Sequence, residues 1–110
     1  GQEIEYWRKV SVYATGYMPK ALGGDVHTAS GLTLTKGIIA VTVPWYQVMK
    51  FQKVYVQGYG FGMIADTGGG IPGTPWIDLG FDDDNYVSWH NWTTMYFLPP
   101  IPAWVPVSLP

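Results

Sequence analysis

Between Gly58 and Gly80 the chain carries eight of its fourteen glycines, and Pro72 and Pro75 fall in the same stretch. Both residue types oppose helix, so this segment reads as short strands joined by tight turns and close backbone crossings. Asp66 and Asp78 lie within it, twelve positions apart, and they are the only acids between Val26 and Phe81. Each can end a strand. The glycine-rich loop between them is short enough to bring both carboxylates to one mouth of a β structure.

The flanking segments read mostly as strand. Glu3 to Tyr17 alternates β-forming residues with Arg8, Lys9 and Ser11. Met18 to Gly31, with Gly23-Gly24-Asp25 and Thr28-Ala29-Ser30-Gly31, reads as a long functional loop. Leu32 to Thr35 is a candidate short strand, Gly37 to Val43 a buried one. Gln47 to Phe51 allows one helical turn, Lys53 to Gln57 alternates as a strand, and Gly58 to Gly62 turns the chain before Met63-Ile64-Ala65 leads into Asp66. Phe81 to Trp92 is the main helix candidate, with Asp82, Asp83 or Asp84 as its cap. Thr93 to Leu98 reads as the final strand. The chain is thus expected to be mainly β, a small barrel of five or six strands with one or two short helices, over residues 1–98. Five of the nine prolines fall in 99–110, which reads as an extended tail or linker packed through Trp104.

At 110 residues this is one domain, and 47% hydrophobic against 13% charged residues excludes disorder. Six Trp and eight Tyr are more than one small core can take. Exposed rings suit stacking on sugars or docking of a protein; simple packing in a small β domain is the plainer account. A net charge of −2 argues against nucleic acid or an anionic membrane as partner. With no cysteine, disulfides, thiol catalysis and zinc–thiolate sites are excluded. No apolar run approaches the ~20 residues of a membrane span, and no signal peptide is visible at Gly1.

For the two aspartates several chemistries compete. Asp66 precedes Thr67-Gly68-Gly69, whose amides can cup a carboxylate or a ligand oxygen; equally, it can cap its own turn. Asp78, between Ile77 and Leu79, is expected to be partly buried, and burial beside Asp66 would keep one carboxyl protonated near neutral pH, as protonation of a glycosidic oxygen requires. Phosphate binding fails for want of any nearby Lys or Arg. A single Asp-Thr-Gly does not supply the pair an aspartic protease needs, save in a dimer. His27 and His90 match no nucleophile or metal pattern, and Asp82-Asp83-Asp84 lacks calcium-loop spacing, so no metal and no cofactor are expected.

Taken in order, Ala14-Thr15-Gly16-Tyr17, Gly23-Gly24, Thr28-Ala29-Ser30-Gly31, Gly37-Ile38-Ile39-Ala40-Val41, Gly58-Tyr59-Gly60, Ala65-Asp66-Thr67-Gly68-Gly69-Gly70-Ile71, Gly73, Ile77-Asp78-Leu79 and Trp89 resemble the 3D domain, named for three aspartates. The resemblance covers about residues 13–98. It implies a double-psi β-barrel, a place in the extracellular space or cell envelope, and peptidoglycan or a related glycan as partner. In the family's lytic transglycosylases one aspartate protonates the leaving oxygen and then assists closure of a 1,6-anhydro ring. By position, Asp78 resembles that acid/base and Asp66 its supporting aspartate. Thr28, Ser30, Gly31, Thr67, Gly68, Gly69, Trp76 and Trp89 would then bind substrate, and the isolated domain is expected to be a monomer. One departure is plain: the family's first aspartate is missing, with Thr42 or Pro44 nearest its place. A non-catalytic glycan-binding or interaction module, offering Trp45, Trp76, Trp89 or Trp92 to sugars, is therefore the alternative.

Overall fold

A computed structural model describes residues 3–24, 27–106 and 109. The parts of the loop and tail expectations that fall on Asp25, Val26, Val107, Ser108 and Pro110 lie outside the described residues. In chain order the elements are β1 (Arg8–Tyr17), a 3₁₀ turn (Pro19–Leu22), β2 (Ile38–Val41), α1 (Val43–Met49), β3 (Lys53–Val56), β4 (Gly60–Thr67), β5 (Trp76–Gly80) and β6 (His90–Phe97). The strands close into a barrel in the order β1-β5-β2-β4-β3-β6. Two pairs are parallel, β1 with β5 and β2 with β4; the others are antiparallel. The mainly β, six-stranded barrel read from the sequence is present. Closure leaves no sheet edge running the length of the molecule, which a domain this rich in β-formers needs.

Period-two alternation sorts the strand residues into two layers. Val12 and Ala14, Ile39 and Val41, Val54 and Val56, Ile64, Ile77 and Leu79, Met95 and Phe97 fill the interior. A second, smaller cluster lies on the outside, where Leu34 packs on Ile38 and Ala65 beside Tyr17 and Met63. Tyr59 ties the turn before β4 to two other segments: its hydroxyl donates to the Gly80 carbonyl at 2.5 Å and accepts from the Gly37 N–H at 2.6 Å. Burial pushes its phenol up to about 12, so it remains a donor. Tyr59→Phe is expected to cost about 2–3 kcal/mol, because it strands a buried donor and a buried acceptor together. Urea unfolding with an unchanged slope and a lower midpoint would record it.

The helix expected over Phe81–Trp92 is absent. Residues 81–89 form a loop, and β6 already begins at His90. Side-chain bonds explain this: Asp82 N–H donates to Asn85 Oδ1, Asn85 Nδ2 donates back to Asp82 Oδ2, and Asp83 Oδ1 accepts from the Lys20 amide. Such local bonds offer the backbone an alternative to helix, and none of the three aspartates caps one. The α-helix lies at Val43–Met49: it overlaps the helical turn expected over Gln47–Phe51 but starts four residues earlier, taking Val43 out of the expected strand. Pro44 sits in its first turn, where the missing N–H costs nothing. Leu32–Thr35 is not a strand; a single bridge joins His27 to Thr33. β1 starts at Arg8 and not at Glu3, and Gly60 and Gly62 belong to β4 and not to the preceding turn. Gly62 passes so close to strand β2 that an added Cβ would lie 2.7 Å from the Gly37 oxygen. After β6 the chain stays on the barrel through Leu109, which joins the interior cluster, and Val105, which packs against it, while Trp104 is 72% exposed.

Candidate functional site

The strand register lines up one row of outward-facing residues across five strands. Asp66 of β4 pairs with Ala40 of β2, Ala40 with Asp78 of β5, Asp78 with Thr15 of β1, and Thr15 with His90 of β6. Directly paired residues share a face of the sheet. Because Ile39 and Val41, Ile77 and Leu79, and Ala14 point into the core, their neighbours in this row point out. Asp66 reaches the row through a bulge. Ile39 pairs with Ile64, yet Ala40 pairs with Asp66, so Ala65 is the extra residue that turns Asp66 away from the core. The two aspartates stand two strands apart, with Cα atoms about 10 Å apart by strand spacing. Ala40, itself buried, is the residue of β2 that stands between them.

The two carboxylates differ in their partners. Both oxygens of Asp66 are occupied: Oδ2 accepts from the Tyr17 hydroxyl at 2.9 Å, and Oδ1 accepts from the Ala29 N–H at 2.9 Å and the Thr67 N–H at 2.8 Å. Burial, reinforced by the charge of Asp66, pushes the Tyr17 phenol far up, so it holds its proton and keeps donating. On Asp78 only Oδ1 has a partner among the described residues, the Thr15 hydroxyl at 2.8 Å, which in turn accepts from the Trp76 indole N–H at 3.0 Å. Burial pushes Asp78 up to about 6, the Thr15 bond opposes this, and the nearby Asp66 charge adds to it. Asp78 thus keeps one unpaired oxygen and a proton it can release near neutral pH.

The remaining predicted site residues fall into three groups. Thr28 is buried, its hydroxyl shared with Ser30 Oγ at 2.9 Å, while Gly31 is exposed at the same turn; this turn brings the Ala29 amide onto Asp66. Thr67 cups the Asp66 carboxylate with its N–H as expected of that turn, the Gly68 N–H is spent on the Val41 carbonyl, and Gly69 is exposed. Trp76 is only 7% exposed and lies under the loop, where a Cβ on Gly68 would meet its ring at 2.5 Å. It sets the Thr15 hydroxyl and offers no open face. Trp89 lies away from the aspartates, against Gly58. Sequence reasoning missed Thr15 and Tyr17 as partners of the two acids. The signal was available: they sit two apart on one strand and so share its outer face.

At the position of the absent third acid, Thr42 is the N-cap residue of α1, and its methyl group stands where a Cβ on Gly70 would fall. Among the described residues no group of three or more His, Asp or Glu side chains could share a metal ion, and no helix is long and apolar enough to cross a membrane. The chain is 33% identical over 87 residues to the "Putative cell wall shaping protein YabE" of Bacillus subtilis (strain 168). The matched stretch is 76% of this chain and 21% of that protein, so the chain spans only a small part of its relative. No family model matches the chain, and no solved structure does.

Proposed function

We propose that this barrel is a 3D-type domain of the cell envelope that acts on peptidoglycan, with Asp78 as the acid/base of a lytic-transglycosylase-type cleavage and Asp66 as the residue that positions the site. The observation that carries the reading is the contrast between the two carboxylates: Asp66 is held by three donors, whereas Asp78 has a free oxygen and a raised proton affinity. Protonated Asp78 gives its proton to the oxygen bridging N-acetylmuramic acid and N-acetylglucosamine as the muramyl C1–O bond breaks. The resulting carboxylate then takes the proton of the muramyl C6 hydroxyl as that oxygen bonds to C1. A 1,6-anhydro ring forms, no water is consumed, and Asp78 ends protonated as it began. Similarity to a protein named for shaping the cell wall supports the substrate class. The unit is taken as monomeric in isolation, with the barrel in residues 1–98 and 99–110 as a tail that packs back on it through Val105 and Leu109.

A second reading, a barrel that binds glycan without cutting it, is favoured by Thr42, the N-cap of α1, which stands nearest the place of the family's first aspartate and leaves two of the three acids. Incubation with purified sacculi separates the two. Release of 1,6-anhydromuropeptides, detected by mass spectrometry, is the expected result. Sedimentation with sacculi and no such product would overturn the catalytic reading and leave the binding one.

A further inference from the structure

Away from the aspartate pair, an open groove of about 430 Å³ runs between Trp89 and Trp92 and is lined by Ser11, Gln57, Asn91, Thr93 and Thr94. Its position follows from the unequal lengths of β3 and β6. β3 pairs with β6 only through Val54–Phe97, Tyr55–Tyr96 and Val56–Met95, so the first half of β6 runs on past the end of β3. There the chain after β3 turns away, fixed by the Gln57 N–H to the Thr94 carbonyl at 3.0 Å and by the Thr93 hydroxyl to the Gln57 carbonyl at 2.8 Å. Both indoles are seated before any ligand arrives. Trp89 rests against Gly58, where the backbone has φ 85° and an added Cβ would come within 3.1 Å of the ring. Trp92 is 55% exposed and held edge-on by Tyr13, ring centres 5.8 Å apart.

The lining contains no charged residue, which tells against a phosphate, a carboxylate or a cationic peptide. The amides of Gln57 and Asn91 and the hydroxyls of Ser11 and Thr94 make no hydrogen bond to another described side chain or backbone group. A ligand here therefore finds free neutral donors and acceptors beside an exposed indole face. That combination suits a ring with one apolar face and a rim of hydroxyl or acetamido groups. We propose that this groove is a saccharide-binding subsite for an uncharged pyranose unit, distinct from the aspartate row. His90, two residues before Trp92, closes the row that contains Asp78, and Ser11, Trp92 and Thr94 lie on the same face of β1 and β6 as that row, whereas Asn91 and Thr93 pair with the core residues Ala14 and Val12. A glycan strand can thus lie across both, and Trp92 supplies holding power without taking part in bond cleavage.

The test is titration of the intact chain with the linear β-1,4-linked tetramer of N-acetylglucosamine, followed by amide NMR shifts and tryptophan fluorescence. Shifts are expected at Ser11, Gln57, Asn91 and Thr94. Trp92→Ala is expected to weaken binding at least tenfold, or about 1.4 kcal/mol. Gln57→Ala should give a smaller loss, and Trp104→Ala, which removes an exposed indole outside the groove, should bind like the parent. The proposal is overturned by absence of binding at millimolar sugar, by shifts confined to the aspartate row, or by equal affinity in Trp92→Ala and the parent. Because the probe is read by binding alone, it stands or falls apart from the catalytic reading: sacculi left intact by a protein whose Trp92 variant loses the sugar would refute only the latter.

Discussion

Asp78→Asn is expected to abolish release of anhydro product, at least a hundredfold, and at the same time to make the folded protein more stable above pH 6. The two effects share a cause. Burial pushes the Asp78 carboxyl from its ordinary 3.8 up to about 6, so between those values the folded state holds a proton that the unfolded state has lost. Stability from this group is therefore greatest below pH 3.8, declines as pH rises through the window, and carries its full penalty above about 6. The gap corresponds to about 3 kcal/mol at most. Asparagine carries no charge to bury, so the unfolding free energy from urea titrations should rise by about 1–3 kcal/mol at pH 8, the gain shrinking toward zero near pH 4. For the parent protein, product release should fall as pH rises past 6, because the acid form is lost. A variant that still cleaves sacculi removes Asp78 from the chemistry; one whose stability gain is the same at pH 4 and pH 8 removes the burial argument.

Gly80→Ala should be the most damaging single methyl group in the barrel, at a cost of about 3 kcal/mol. A Cβ there would fall on the backbone oxygen of Ile38, with Leu34 Cδ1 at 2.9 Å and the Thr35 oxygen at 3.1 Å. Two of these are backbone atoms that cannot swing aside, and the Gly80 carbonyl is also the acceptor for Tyr59. The methyl group would have to separate β2 from β5, the strands that carry Ala40 and Asp78. Gly69→Ala is the control, since nothing lies within 4 Å of its added Cβ, and it should change stability by less than about 0.5 kcal/mol. Chemical denaturation of the two variants side by side decides it: equal midpoints would show that β2 and β5 can part without penalty.

What the sequence disclosed depended on how local the physics was. Val54 and Val56, alternating with Tyr55, specified a half-buried strand from a few adjacent side chains, and the strand is there. Glycine density marked backbone crossings, and Gly62 and Gly80 are two of them. The helix was expected there because Asp82, Asp83 and Asp84 are residue types that cap helices, and whether Asp82 caps a helix or bonds Asn85 depends on what surrounds it. The pairing of Asp66 with Ala40 rests on a bulge, a one-residue slip that the pattern Met63-Ile64-Ala65 does not announce. Asp66 and Asp78 were legible as a pair of acids. Their inequality was not, since it arises from Tyr17, Ala29 and Thr15, which approach from 49, 37 and 63 residues away.

The Arg8 guanidinium donates to the Leu109 carbonyl at 3.0 Å, and Arg8 pairs with Phe97, so the first residue of β1 and the last of β6 meet at one pole of the barrel. From Arg8, β1 runs seven residues to Thr15, about 23 Å, before it reaches Asp78. The entry into β1 and the exit from β6 therefore lie together at the pole remote from the carboxylates, and the aspartate face is built where β1 ends and β6 begins.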